Sequence, residues 1–302
     1  MIGSCFTDNI GAKLKQLRFQ LLTNPFGVLY NPVSIANALE LIIDNKQLPA
    51  DSLVFDQNLW HSLLLHGDFS QTDKRVLVDK ANSAIAGAHH FLTNTDFVFV
   101  TFGTAWVYRY LETNQIVANC HKINANRFDR FRLEIDSIVE VWQKIIERLK
   151  VLNNNLRIVF TLSPVRHLKD GAHENQLSKS VLLMAIDKLM NNDSSVGYFP
   201  AYELVNDDLR DYRFYASDMV HLSDTAIDYV FEKIRKAYFT DSAQITMKQV
   251  AAIVQAAQHR ILQNNPLELS SLKKGMLQKI EKLKAEQPFI DLSAEYKYFV
   301  EL

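Results

Sequence analysis

Two short runs constrain this chain more than anything else in it. Phe97-Val98-Phe99-Val100-Thr101-Phe102 is an unbroken stretch of β-branched and aromatic residues that stops at Gly103. A second, 156–162 (LRIVFTL), stops at Ser163-Pro164. Neither alternates apolar with polar residues, so neither can leave one face in water. Both read as strands covered on two sides, as in a parallel sheet. Parallel strands need crossovers, and helical spacing of apolar residues supplies them at 8–17, from Ile35 onward with Ser34 as N-cap, at 73–91, 135–149, 177–190 and 223–238. The segment 196–205 (VGYFPAYELV) reads as extended, and residues 1–4 as the end of a strand whose beginning is expected upstream of Met1. Strands alternating with helices predict a doubly wound α/β domain over 1–240, with 33–95 a largely helical insertion and ligands bound at the carboxyl ends of the strands. Beyond that, 245–262 and 267–283 are helical with no strand between them. We read 241–302 as a helical extension that packs on the main domain or pairs with a second copy as a homodimer.

Composition removes whole classes of function. Lys+Arg number 33 and Asp+Glu 34, so there is no basic excess to neutralise phosphates and no nucleic-acid partner is expected. At 48% hydrophobic residues the chain can bury a large core, which excludes disorder. Two cysteines make no disulfide framework, and the reducing cytosol is the expected compartment. No apolar run reaches about 18 residues, so no membrane partner is expected. The spacings of His61, His66, His89 and His90 match no tight ligand set; neither a metal nor another cofactor is expected.

Glycine is scarce, nine in all, and three stand at ends of apolar runs. Gly3 precedes Ser4 at the start of a helical pattern, Gly27 closes the turn Asn24-Pro25-Phe26-Gly27, and Gly103 ends the strongest strand. A serine at the start of a helix has its hydroxyl at the positive end of the dipole, beside backbone N–H groups able to hold an oxyanion. Just before the last helix of the sheet region comes Asp218-Met219-Val220-His221, where a carboxylate can hold one ring nitrogen and leave the other for a nucleophile. The same spacing recurs in Asp170-Gly171-Ala172-His173, the runner-up pair. The alternatives for these residues are an N-cap serine and a surface histidine. Arg166 and His167 follow the second strand and are expected to face the cleft, as is Trp106. Trp60 and Trp142 read as core, and Cys5 as a small apolar residue turned inward.

The order serine on the first turn, Asp-x-x-His before the last helix, resembles the SGNH, or GDSL-like, hydrolase superfamily. Gly3-Ser4-Cys5-Phe6 matches the signature of its GSCFA family, and the resemblance extends through Asn24-Pro25-Phe26-Gly27, Tyr30-Asn31-Pro32, Phe102-Gly103-Thr104-Ala105-Trp106, Ser163-Pro164-Val165-Arg166-His167 and Asp218 with His221. It implies a flavodoxin-like three-layer α/β/α domain and metal-independent ester hydrolysis through an acyl-enzyme. Ser4 would be the nucleophile, His221 the general base and Asp218 its orienting carboxylate, with the N–H groups of Ser4 and Gly27 as oxyanion donors. A Ser4–His221 hydrogen bond is expected. The superfamily's third donor is an asparagine two residues after the glycine of the third strand, and here Ala105 stands in that place. Thr104, Arg166 or His167 would have to replace it, with Gly103 lining the site. The substrate would be a small acyl ester, such as an O-acetyl group on a carbohydrate. The rivals are a binding or scaffold protein that keeps the fold without the chemistry, and an acyltransferase using the same serine.

Overall fold

The computed structural model describes residues 1–258 and 266–301, and these divide into two compact units, Met1–Asn9 with Leu22–Val230 and Ile10–Leu21 with Phe231–Leu302. The first unit runs through β1 (Ile2–Gly3), the opening of α1 (Cys5–Gln16), α2 (Pro32–Ile43), β2 (Leu53–Asp56), β3 (Leu59–Ser62) and α3 (Lys74–Thr93). It continues with β4 (Phe97–Phe102), β5 (Trp106–Tyr110), β6 (Gln115–Val117), β7 (Phe128–Arg132), α4 (Ile135–Leu152) and β8 (Arg157–Leu162). Then follow α5 (Gly171–Asn192), β9 (Val196–Phe199), the single turn α6 (Ala201–Glu203) and the start of α7 (Asp224–Tyr238).

Both unbroken apolar runs are strands inside a parallel sheet of order β1-β4-β8-β9. Every residue of β8 after Arg157 is buried, as a strand covered on both faces requires. Phe102 and Phe160, on neighbouring strands, meet Trp142 of α4 with ring centroids 5.0–5.2 Å apart. Trp142 is wholly buried and its indole N–H donates to Pro32 O at 3.1 Å. These rings belong to one apolar core that also takes in Ile35 and Leu39 of α2 and Leu182 and Ile186 of α5.

Several local expectations are corrected. The N-cap of α2 is Asn31, whose side chain accepts the N–H of Ser34, with Pro32 preset for the first helical position. Only 196–199 of the extended segment is strand. Pro200 offers no N–H to the ladder, and its carbonyl instead closes a helical turn with Leu204 N–H at 3.0 Å. Within 33–95 the hairpin β2–β3 turns at Gln57 and Asn58, both left-handed at φ 48 and 63, the geometry of a type I′ turn made without glycine. A second, antiparallel sheet of order β6-β5-β7 follows β4, pairing Trp106 with Arg132 and Tyr108 with Arg130.

The second unit contains α8 (Asp241–Gln258), α9 (Pro266–Glu286) and α10 (Ser293–Glu301). The helix expected to reach 262 is described only to Gln258, so 259–262 lie outside the described residues. Val250, Ile253 and Val254 of α8 pack with Ile280 and Leu283 of α9 and Phe299 of α10. Arg18 pairs with Glu295, and the Phe19 and Phe239 rings meet edge to face at 5.2 Å. Among the described residues no helix is long and apolar enough to cross a membrane.

Candidate active site

Gly3 adopts φ +143, and a Cβ there would lie 2.3 Å from Thr101 O, so glycine alone lets β1 approach β4 this closely. Ser4 follows directly and precedes α1, its carbonyl accepting Thr7 N–H at 2.9 Å. Its hydroxyl lies at the N-terminal end of the helix, where amides are without intrahelical partners. Ser4 is 1% exposed and its Oγ has no hydrogen-bond partner. A buried polar atom left unpaired costs about 1–3 kcal/mol, a cost tolerated where the group has another use. Cys5 is half-buried, and burial pushes its thiol up against the pull of the Phe6 and Cys5 N–H groups.

The turn 24–27 stitches the edge of β1. Asn24, left-handed at φ 43, accepts Gly3 N–H on Oδ1 at 2.8 Å and donates from Nδ2 to Asp8 at 2.7 Å. Gly27 has φ +77, and a Cβ on it would lie 2.3 Å from His66 Cβ. Its N–H donates to Asn24 O at 2.8 Å, so it is spent inside the turn and not held out for an oxyanion. The same holds one strand away: Tyr30 O accepts both Gly103 N–H, at 2.8 Å, and Thr104 N–H, at 3.0 Å. Thr104 Oγ1 accepts Trp106 N–H at 3.1 Å and lies 3.2 Å from Ser178 Oγ.

Asp218 and His221 form the expected pair. His221 Nδ1 lies 2.6 Å from Asp218 Oδ2, while Asp218 Oδ1 accepts the N–H groups of Val220 and His221, each at 2.9 Å. The His221 hydrogen bond, then the two backbone N–H groups, hold the Asp218 carboxyl down at about 2. The pair sits in a tight loop, with Ala216 N–H on His221 O at 2.8 Å, Met219 left-handed at φ 62, and Tyr215 bridged to Leu222. Both side chains are 50% exposed, whereas Ser4 is buried. The expected Ser4–His221 hydrogen bond is not made, since Ser4 Oγ has no partner.

Arg166 reaches toward the His221 loop: its guanidinium lies 5.0 Å from the centroid of the Tyr215 ring. His167 N–H donates to Asn175 Oδ1 at 2.9 Å. The runner-up pair is dismissed by its partner, because Asp170 is held by both terminal nitrogens of Arg130, one at 2.8 Å. Arg130 in turn covers Trp106, 4.3 Å from the ring centroid.

Three residues that sequence reasoning passed over organise this end of the sheet. On α5 the buried stripe Asn175, Ser178, Lys179, Leu182, Ala185, Ile186, Leu189 is apolar in its second half and polar in its first. The polar half meets the strand ends: Ser178 Oγ accepts Ala105 N–H at 2.8 Å, and Lys179 Nζ donates to Gly103 O and to Ser163 O, both at 2.7 Å. Lys179 is 1% exposed, and burial pushes its ammonium down to about 7. The signal was present, because a lysine with Leu182 at i+3 and Ile186 at i+7 lies on the apolar stripe and faces inward.

No curated protein and no solved structure gives a significant match to this chain. Residues 1–234 match the sequence model of the GSCFA family, which takes in every candidate residue above. With the match covering most of its length, from the Gly3-Ser4 turn past His221, the chain belongs to the GSCFA family.

Proposed function

We propose that the protein is a metal-independent acyl-ester hydrolase working through Ser4, on a flavodoxin-like three-layer domain. One observation carries the reading: a single compact unit, inside the family match, holds both a carboxylate-held histidine and a buried, unpartnered serine hydroxyl at a helix N-terminus. Ser4 Oγ attacks the ester carbonyl while His221 Nε2 takes the hydroxyl proton, and the tetrahedral oxyanion is held by backbone N–H groups at the start of α1. His221 then gives that proton to the departing alcohol, leaving an acyl-serine. Water, deprotonated by the same nitrogen, releases the acid. Asp218 keeps Nδ1 protonated throughout and balances the imidazolium. Nε2 must come within reach of Ser4 Oγ, which catalytic hydrogen bonds commonly do only in the substrate complex. An O-acetyl group on a carbohydrate is the substrate class proposed.

A specific observation favours a second reading, a binding protein on the same fold. The N–H groups of Gly27, Gly103 and Thr104 are already bonded within the protein. Turnover of p-nitrophenyl acetate by wild type, Ser4→Ala and His221→Ala decides between them. The hydrolase reading expects losses of about 10³-fold or more in both variants. Equal rates in wild type and Ser4→Ala would reject Ser4 as the nucleophile.

A further inference from the structure

Among the described residues Lys179 is the one lysine or arginine that is fully buried. Burying an ammonium costs several kcal/mol, and a methionine of similar volume would avoid that cost. Its position gives the reason for keeping it. Nζ spends two protons on Gly103 O and Ser163 O, the first residues beyond β4 and β8, so one side chain ties two adjacent strand ends together. Around it are the Tyr202 ring at 5.5 Å, Cys5 at the start of α1, and His167 beyond β8, the last two near enough to interact with its charge. Ser163, whose carbonyl it holds, has a buried Oγ with no partner, as Ser4 does. An unpaired hydroxyl thus follows β1 and another follows β8, the cation holds the carbonyl of the second, and Ala105, after β4, offers no side-chain donor.

We propose that Lys179 is the positioning residue of this site: it locks the carboxyl ends of β4 and β8 through Gly103 O and Ser163 O, and its charge supplies the stabilisation of an anionic tetrahedral centre that an amide at position 105 would otherwise give. The second half rests on the hydrolase reading; the clamp does not. A neutral carbonyl clamp needs only N–H donors, whereas oxyanion stabilisation needs the charge, so two substitutions separate them. Lys179→Met removes both, and Lys179→Gln keeps donors without charge.

The experiment has two arms on the full chain. Amide hydrogen exchange at Gly103, Thr104, Ala105, Ser163 and His167 reads the clamp: in Lys179→Met, exchange rises about tenfold or more, as expected on losing hydrogen bonds to a charged group, while 98–101 are unchanged. Unchanged exchange at all five overturns the clamp. Hydrolysis of p-nitrophenyl acetate across pH 6–9 reads the charge. In both variants kcat falls by about 10²–10³ with little change in KM, and the alkaline fall of the wild-type profile is absent from Lys179→Gln. A wild-type kcat and pH profile in either folded variant overturns the electrostatic role. Circular dichroism checks folding, and if Lys179→Met is unfolded, Lys179→Leu, which also lacks donors, takes its place in the exchange arm by the same criteria, while Lys179→Gln carries the rate arm. Wild-type activity in Ser4→Ala would sink the hydrolase reading and the rate half with it, leaving the exchange arm to decide the clamp.

Discussion

A histidine whose Nδ1 is held by a carboxylate has its tautomer chosen for it, and His221 is in that state before any substrate arrives. Asp218→Asn keeps the shape but offers a donor where an acceptor is needed. We expect kcat for ester hydrolysis to fall about 10²–10⁴-fold with circular dichroism unchanged, measured against wild type under the same conditions. Lys179 makes a prediction about stability alone. Its folded-state value lies near 7 against 10.5 for a free lysine, so between those limits the unfolded chain carries a proton that the folded one lacks. Wild-type stability should therefore rise with pH across that window relative to Lys179→Met, and the difference should level off below about pH 7, as urea midpoints at pH 6, 7, 8 and 9 would reveal. Gly3→Ala, whose Cβ would sit 2.3 Å from Thr101 O, should destabilise by more than about 1 kcal/mol in the same assay. That the backbone runs against a neighbour at Gly3, Gly27 and Gly103 was legible, because glycine at the end of an apolar run announces close approach. Which of their N–H groups remain available was not, because the acceptors, Asn24 O and Tyr30 O, are set by how the loops pack.

At the scale of elements, β4 was legible to the residue and α4 and α7 nearly so, since each carries its own period and its own stop. The hairpin β2–β3 was not, because its turn uses Gln57 and Asn58 in left-handed geometry without the glycine that usually marks it. Nor was the sheet β6-β5-β7, whose strands are short and rich in arginine, with Arg109, Arg130 and Arg132 stacked on aromatic rings. The start of α2 shows how one residue moves a boundary. Ser34 fits an N-cap by type, yet Asn31 takes the position because Pro32 can occupy the first helical site. Asn31→Ala should cost about 1–2 kcal/mol in urea unfolding, having lost the cap and the 2.9 Å bond from its Nδ2 to Ser34 Oγ.

Over the whole molecule, the family match ends at 234 while the compact units divide the chain differently, with Ile10–Leu21 belonging to the unit that holds the last helices. A chain cut at 240 would keep Ile10, Leu14 and Phe19 but lose α8, α9 and α10. We expect it to bind a hydrophobic dye far more strongly than the full chain and to lose its cooperative thermal transition; an unchanged transition would contradict the division. Taken alone, the sequence determined the alternation of strands and helices, the burial of the central strands, the family and the pairing of Asp218 with His221, all of which rest on residues near one another in the chain. Tertiary structure alone decided that Asp170 answers to Arg130, that the Gly27 N–H is already spent, that Ser4 is buried without a partner, and that Lys179 joins two strand ends. Each of these depends on which atom from a distant segment arrives within about 3 Å, and hydrogen bonds are too short-ranged for local pattern to specify that.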